Sequence, residues 1–215
     1  MRMTRPRAVP AEPVQARSRK TMNRILAAAE SLLAQSSIDR VGVAEITAKA
    51  GVAAGSFYTR FKDKDDLLAH LVQRYVDDMH ARSTVLEPRL LAESRLEKRL
   101  ELVIEAITNL FATRRGIVRS VLMKIRHDPN YENPELMQEF LGFYDRAGKL
   151  LVGDGSEVTA GDPQAAGRFC MQLIASFSRD AILFEEFPVQ LTTPSKDPAF
   201  KLALRLACLG VLRGA

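Results

Sequence analysis

The chain has 215 residues, 47% of them hydrophobic and 27% charged, with a formal net charge of +5. That is enough apolar material for a buried core in one or two domains, and it excludes a disordered, collagen-like or rod-like chain. No uncharged run exceeds ten residues, about half of the ~20 apolar residues that a membrane-spanning helix needs.

The first 15 residues mix Arg, Pro and Ala without periodicity, and Arg2, Arg5 and Arg7 are followed by Pro10, Glu12 and Pro13 rather than by an apolar segment. A disordered basic arm over 1–15 is expected, not a secretory signal, and with it a cytoplasmic protein. From Met22 the apolar positions Ile25, Leu26, Ala29, Leu32 and Leu33 repeat at the spacing of one helical face, which predicts a first helix over about 16–35. Residues 43–50 predict a second helix of only two turns, stopped by Gly51, where a left-handed residue costs little. A third short segment follows over residues 53–61. Asp63 then supplies an N-cap, and Asp65 and Asp66 stand in the first turn, where the helix dipole favours anions. Leu67, Leu68, Leu71, Val72 and Tyr75 mark the long fourth helix that they open. Two short helices around a glycine turn, braced by a longer helix on each side, describe a helix-turn-helix.

Beyond residue 82 the pattern stays helical. Leu96 to Phe111 predicts one helix and Ile117 to Ile125 another. Asn133, Asp162 and Asp197 each stand before a proline, and so mark three helix starts. The expected fold is all-α, with about nine helices and no sheet: a helix-turn-helix domain over 16–62 and a larger helical domain over 63–215, linked by the fourth helix. Cys170 and Cys208 have neither CxxC spacing nor a nearby histidine, so buried free thiols are expected rather than a disulfide or a zinc site.

The charge is unevenly placed. Residues 1–74 hold 13 Lys+Arg against 7 Asp+Glu, whereas residues 75–215 hold 18 against 19. The whole positive excess therefore falls on the helix-turn-helix third, as in a polyanion-binding module or as in a solubilising tail with a solvated helix face. The motif decides between them, because a second helix of this kind can lie in the roughly 12 Å wide major groove while the first crosses the backbone. Ile46, Ala50, Val52 and Phe57 are spaced to pack inward, leaving Ala53, Ala54, Ser56, Thr59 and Arg60 facing out. Tyr58 and Lys64 have the reach and chemistry to bond phosphate oxygens.

Residues 19–71 resemble the N-terminal domain of the tetracycline-repressor (TetR/AcrR) family of bacterial transcription regulators. The resemblance is carried by ILAAAE at 25–30, VAEITAKAGV at 43–52 and GSFYTRFKDKDDLL at 55–68. It implies that 53–61 is the recognition helix, that Tyr58 and Lys64 hold the phosphate backbone, and that the remainder binds a small effector and dimerises. This chain departs from the family pattern in having Ala53 and Gly42 where hydroxyl residues are usual. Both short helices then lack a capping side chain, at about 1 kcal/mol for alanine and less for glycine, and a looser reading head is expected.

The last predicted helix carries polar side chains only at Lys201, Arg205 and Arg213, and the helix before it is also broadly apolar. Helices apolar on nearly all sides require cover on nearly all sides, so a homodimer interface is expected through Phe169, Leu173, Phe177, Phe184, Leu202, Leu206 and Leu209. Met79, Phe111, Met123, Phe140, Phe143 and Tyr144 are candidate walls of an effector site, with Arg119, Arg126 and His127 as orienting groups. Their spacing is equally that of ordinary core. The three histidines show no metal-ligand spacing, and there is no nucleophile elbow, P-loop or dinucleotide fingerprint. No enzyme, cofactor or metal is therefore expected. The expected function is DNA-binding regulation, most simply a repressor released from a palindromic operator by a largely apolar effector, the alternative being a helical enzyme or carrier that retains a helix-turn-helix.

Overall fold

The structure is a computed structural model that describes residues 14–127, 134–183 and 196–214. The arm before residue 14, the capping role of Asn133 and the interface residue Phe184 lie outside the described residues. Eight helices are present among those described: α1 (Val14–Leu33), α2 (Val43–Ala50), α3 (Gly55–Tyr58), α4 (Lys64–Ala92), α5 (Leu96–His127), α6 (Pro134–Val152), α7 (Pro163–Leu183) and α8 (Pro198–Arg213). No strand occurs among these residues.

Helix ends fall where short polar side chains satisfy the free N–H groups. Asp63 accepts from the Asp66 amide at 2.9 Å while the Asp66 carboxylate accepts from the Lys62 amide at 2.9 Å, a reciprocal cap at the start of α4. Asp162 accepts from the Ala165 amide at 2.9 Å and Asp197 from the Ala199 amide at 2.8 Å. Gly51 ends α2 at φ 62°, ψ 42°, the left-handed conformation that costs a residue without Cβ nothing.

The helix count differs from about nine because the two segments expected on either side of residue 114 are one helix, bent rather than broken. Arg114 leaves helical geometry at φ −119°, ψ 19°. Immediately before it the Thr113 hydroxyl donates to the carbonyls of Asn109 and Leu110 at 2.8 and 3.1 Å, a back-bond that bends helices. No proline interrupts the run, so helix resumes at once.

The core is continuous from the first helices into the body. Ile25, Leu33, Ile46, Phe57, Phe61, Leu67 and Leu71 are buried around α1–α4, and the cluster runs on through Leu100, Ile104, Ile174, Leu204 and Cys208. α7 packs on α5, α6 and α8. Cys170 and Cys208 are free and buried, each thiol directed at the other's carbonyl oxygen. Hydrogen bonding to Cys208 and burial together hold the Cys170 thiol far above the ordinary thiol range.

Two polar devices fix the body. Glu97, Glu101 and Glu105, spaced by four on α5, pair with Arg213, Arg205 and Lys201 on α8. The stripe on α8 thus faces its own chain. Arg99 is 3% exposed and has four carbonyl acceptors: Leu151 and Val152 at the end of α6, and Glu93 and Ser94 between α4 and α5.

Candidate nucleic-acid interface

The reading head is built from an inner face that packs and an outer face that does not. Ile46, Ala50 and Phe57 are buried and Val52 is half-buried, as their spacing predicts. Neither α2 nor α3 has a side-chain N-cap; Gly42 stands at the cap of α2 as expected, but the cap of α3 falls on Ala54 rather than on Ala53. Aromatic packing holds α3 instead. The Phe57 ring lies 5.3 Å from Phe61 and 5.2 Å from Tyr58, and Phe61 stands edge-on to His70 at 5.3 Å. Phe57 and Phe61 are anchored in the core, so the turn between them is presented outward.

Ala53, Ala54, Tyr58 and Thr59 are exposed, and Ser56 and Arg60 are half-buried. Tyr58 is 64% exposed, with its ring edge on Phe57 and its hydroxyl end free to reach away from the helix. The small side chains beside it let the backbone of this turn approach a surface closely.

Two candidate residues occupy positions that the sequence did not indicate. Arg60 is turned inward: Nε donates to the Ser18 carbonyl at 3.3 Å, and Nη1 donates to the Ser56 carbonyl at 2.9 Å and to the Thr59 hydroxyl at 3.1 Å. It braces α3 against the start of α1. Lys64 is likewise directed into the head. Its ammonium donates to the carbonyls of Ile38, Asp39 and Val41 at 2.9, 3.1 and 3.3 Å, tying the α1–α2 loop to α4. An ammonium has three donors, and all three have protein acceptors here. Arg24 works similarly, donating to the Gly51 carbonyl at 2.9 Å across the turn.

Arg17, Ser18 and Thr21 join Thr59 and Arg60 in lining an open cleft between α1 and α3. Arg17 and Thr21 were not singled out from the sequence. The signal that could have found them is the positive charge of Arg17, Arg19 and Lys20 at the start of α1.

In the body, Phe169, Phe177, Leu202 and Leu206 are exposed on α7 and α8, with Leu173 half-buried among them in sequence. Leu209 differs. It stands beside Cys208 on α8 and is only 8% exposed, so it belongs to the core of its own chain.

The expected effector residues divide between core and surface. Met79, Phe111 and Phe143 are buried, Met123 is half-buried, and Phe140 and Tyr144 are half-buried. α4 and α6 bring the rings of Tyr75 and Phe140 to 5.7 Å, with Phe143 and Tyr144 at 5.6 Å. Burial, reinforced by the nearby Tyr144, pushes the Tyr75 hydroxyl far above its ordinary value, and burial raises Tyr144 in the same direction. Arg119 does not orient toward this group: its Nη2 donates to the carbonyls of Leu33 and Ala34 at 3.2 Å each, closing the end of α1. His127 is exposed at the end of α5, with Nδ1 2.7 Å from the Met123 carbonyl oxygen, and Arg126 is exposed beside it. Among the described residues no cluster of His, Cys, Asp and Glu could hold a metal ion, and no helix is long and apolar enough to cross a membrane.

A buried helix-turn-helix scaffold with a small-residue outer turn defines a DNA-binding protein. Residues 25–71 match the family described as bacterial regulatory proteins, tetR family. Solved structures share the fold across both parts of the chain. A tetR-family regulatory protein from Rhodococcus RHA1 superposes with a TM-score of 0.63 at 18% identity, over 90% of this chain and 97% of its own. A TerR/AcrR-family regulator from Aquifex aeolicus VF5 gives 0.58 at 19% identity, over 87% and 96%. FadR of Bacillus subtilis, solved in complex with stearoyl-CoA, gives 0.56 at 20% identity, over 90% and 98%. No curated protein sequence matches the chain significantly. Residues 25–71 are thus a tetR-family DNA-binding domain, and the chain as a whole has the fold of these solved regulators.

Proposed function

We propose that this regulator is a homodimeric repressor, released from a two-fold symmetric operator by a small, largely apolar effector. The observation that carries this reading is the outer turn of the head. Ala53, Ala54, Tyr58 and Thr59 are exposed and Ser56 is half-buried on a turn anchored by the buried Phe57, in the third of the chain that holds all the excess positive charge. Tyr58 and the exposed Lys62 would bond phosphates, and Ser56 and Thr59 would lie over base edges. The division into a reading head over 16–62 and a regulatory body over 63–215 is part of the same proposal.

Phe169, Phe177, Leu202 and Leu206 support dimerisation, since four exposed large apolar side chains on two adjacent helices form a patch that water disfavours. A two-fold axis through α7 and α8 would set two heads against two half-sites. Charge reversal at Phe177 and Leu206 should then yield a species near the 23.9 kDa monomer in sedimentation, with operator binding lost. The aromatic group of Tyr75, Phe140, Phe143 and Tyr144 supports an apolar ligand. The stearoyl-CoA held by the Bacillus subtilis protein makes acyl thioesters the first compounds to try. The protein would act without catalysis, in the cytoplasm with its DNA. No residue constellation among the described residues favours the helical enzyme.

The test is selection of bound duplexes from a random-sequence pool, followed by titration over a range of salt and then with stearoyl-CoA. A salt-sensitive complex with two related half-sites, dissociated by the thioester, is expected. Failure to select any sequence would overturn the DNA reading. Selection of a site that no acyl thioester dissociates would overturn the acyl ligand.

A further inference from the structure

The end of α1 does not merely rest on the body. It is held there by consecutive residues of α5, at the one point where α5 leaves helical geometry. Arg114 is that residue, at φ −119°, ψ 19°, in the sparsely populated bridge between the helical and extended regions. Its guanidinium joins both sides of the junction. Nη1 donates to Glu30 of α1 at 2.9 Å and Nε donates to Asp78 of α4 at 3.1 Å. Arg74 stands 3.7 Å from Glu30, and Arg82 stands 3.1 Å from Asp78. The three side chains at the centre are each only 21–24% exposed, so these pairs are screened less than pairs at the open surface.

The following residues complete the seat. Arg115 donates to the Ala34 carbonyl at 3.0 Å, and Arg119, one turn on, donates to the carbonyls of Leu33 and Ala34. Between them Gly116 leaves no clearance: a Cβ there would lie 2.4 Å from the Leu33 carbonyl carbon and oxygen. The backbone of α1 therefore touches the backbone of α5.

We propose that Arg114 is the positioning residue that couples the bend of α5 to the orientation of the reading head, through its simultaneous hold on Glu30 and Asp78. Restoring helical φ and ψ at residue 114 turns its side chain about the α5 axis, and one guanidinium then cannot keep both carboxylates. Arg115, Gly116 and Arg119 lie beyond the bend, so the seat for Leu33 and Ala34 moves with that half of α5. Any ligand that favours a straighter α5 thus shifts the head without touching it. This rests on the regulator reading above. Its first test needs neither operator nor effector.

Spin labels at Lys62→Cys on the head and Lys149→Cys on α6 report the head-to-body distance within one full-length chain, the two buried thiols remaining unlabelled. With the labelled chain diluted into an excess of unlabelled chain, so that each dimer holds one label pair, wild type should give one narrow distance and Arg114→Ala a broadened one. Gly116→Ala should broaden it by a separate route, since alanine favours helix in α5 while its methyl drives α1 off the seat. Should Arg114→Ala lose its helical circular dichroism, Glu30→Gln/Asp78→Asn, which keeps the arginine and removes the two carboxylates it holds, decides the matter by the same distance reading. Unlabelled Arg114→Ala should bind the selected operator about tenfold more weakly than wild type. An unchanged distance distribution in a folded Arg114→Ala overturns the proposal, as does a broadened one with operator affinity retained. Should wild type select no operator, the regulator reading fails, and the distance measurement alone still decides whether Arg114 fixes the head.

Discussion

The ammonium of Lys64 lies 2.9 Å from the carbonyl oxygen of Ile38, at the base of the reading head rather than on its outer face. Position 64 opens α4, beside the exposed turn after α3, and a lysine there looks from sequence like a phosphate ligand. Its contacts with Ile38, Asp39 and Val41 make it instead the strut of the α1–α2 loop. We expect Lys64→Ala to lower stability by about 1.5–3 kcal/mol, the range for hydrogen bonds to a charged group. Operator binding should weaken through a looser head, with an unaltered dependence on salt. Thermal melting and gel-shift titration across salt separate the two roles, because a phosphate ligand would reduce the salt slope by about one when removed.

Tyr58 is the opposite case. At 64% exposure it contributes its ring edge to Phe57 and leaves its hydroxyl outside. Tyr58→Phe keeps the ring and removes only the hydroxyl. Stability should be unchanged to within about 0.5 kcal/mol, as for most surface substitutions. Operator affinity should fall about fivefold on every sequence, the equivalent of one hydrogen bond of ~1 kcal/mol. A drop in melting temperature alongside the affinity loss would place Tyr58 in the packing of the head.

What was legible in the sequence is what local pattern encodes. The inward positions Ile25, Ile46 and Phe57, the stop at Gly51 and the caps at Asp63, Asp162 and Asp197 all follow from spacing and from single-residue chemistry. The missing cap of α2 was readable for the same reason. The inward turns of Lys64, Arg60 and Arg119 were not, because each is bonded to a carbonyl more than twenty residues away, and a carbonyl leaves no trace in the residue type that carries it. The ladder between α5 and α8 does leave a signal in the sequence: Glu97, Glu101 and Glu105 repeat at four, as Lys201 and Arg205 do. The bend of α5 looks from sequence like a gap between helices, since Thr113 back-bonding weakens a helix without ending it.

Arg99 has the least visible role and a large expected effect. A guanidinium buried to 3% with four carbonyl acceptors and no carboxylate among them gathers the end of α6 and the α4–α5 connection around one side chain. Four carbonyls lose their donors if it is truncated. Arg99→Ala should cost about 3–5 kcal/mol, since each buried carbonyl left without a donor costs about 1–3 kcal/mol and water can reach only some of the four, measured as a fall in the denaturant midpoint. Arg99→Lys should recover less than half of that, since an ammonium cannot fan out to acceptors on two separate segments. Full rescue by lysine would show that charge alone, and not the planar fork, holds the junction.

Acid should weaken the body through the carboxyls that α5 and α4 hold in ion pairs. Hydrogen bonding to Lys98, with Arg205 adding to it, outweighs desolvation and holds Glu101 below its ordinary 4.5; Lys201 does the same for Glu105. Asp78 is pushed up by its partial burial but drawn further down, below 3.8, by hydrogen bonds from Arg82 and Arg114. Each of these carboxyls binds a proton less readily folded than unfolded. The stability they contribute is therefore fully present above about pH 4.5, the unfolded value for glutamate, and is lost as pH falls through the lower folded values. Both glutamates are partly exposed, so solvent and salt reduce the effect and the expected slope is modest. Denaturant midpoints measured from pH 6 to pH 3 should stay level and then decline below pH 4.5, with the decline shallower in Glu101→Gln/Glu105→Gln. An identical decline in that double variant would assign the acid sensitivity to carboxyls elsewhere, with Asp78 at the α4–α5 junction the next to replace.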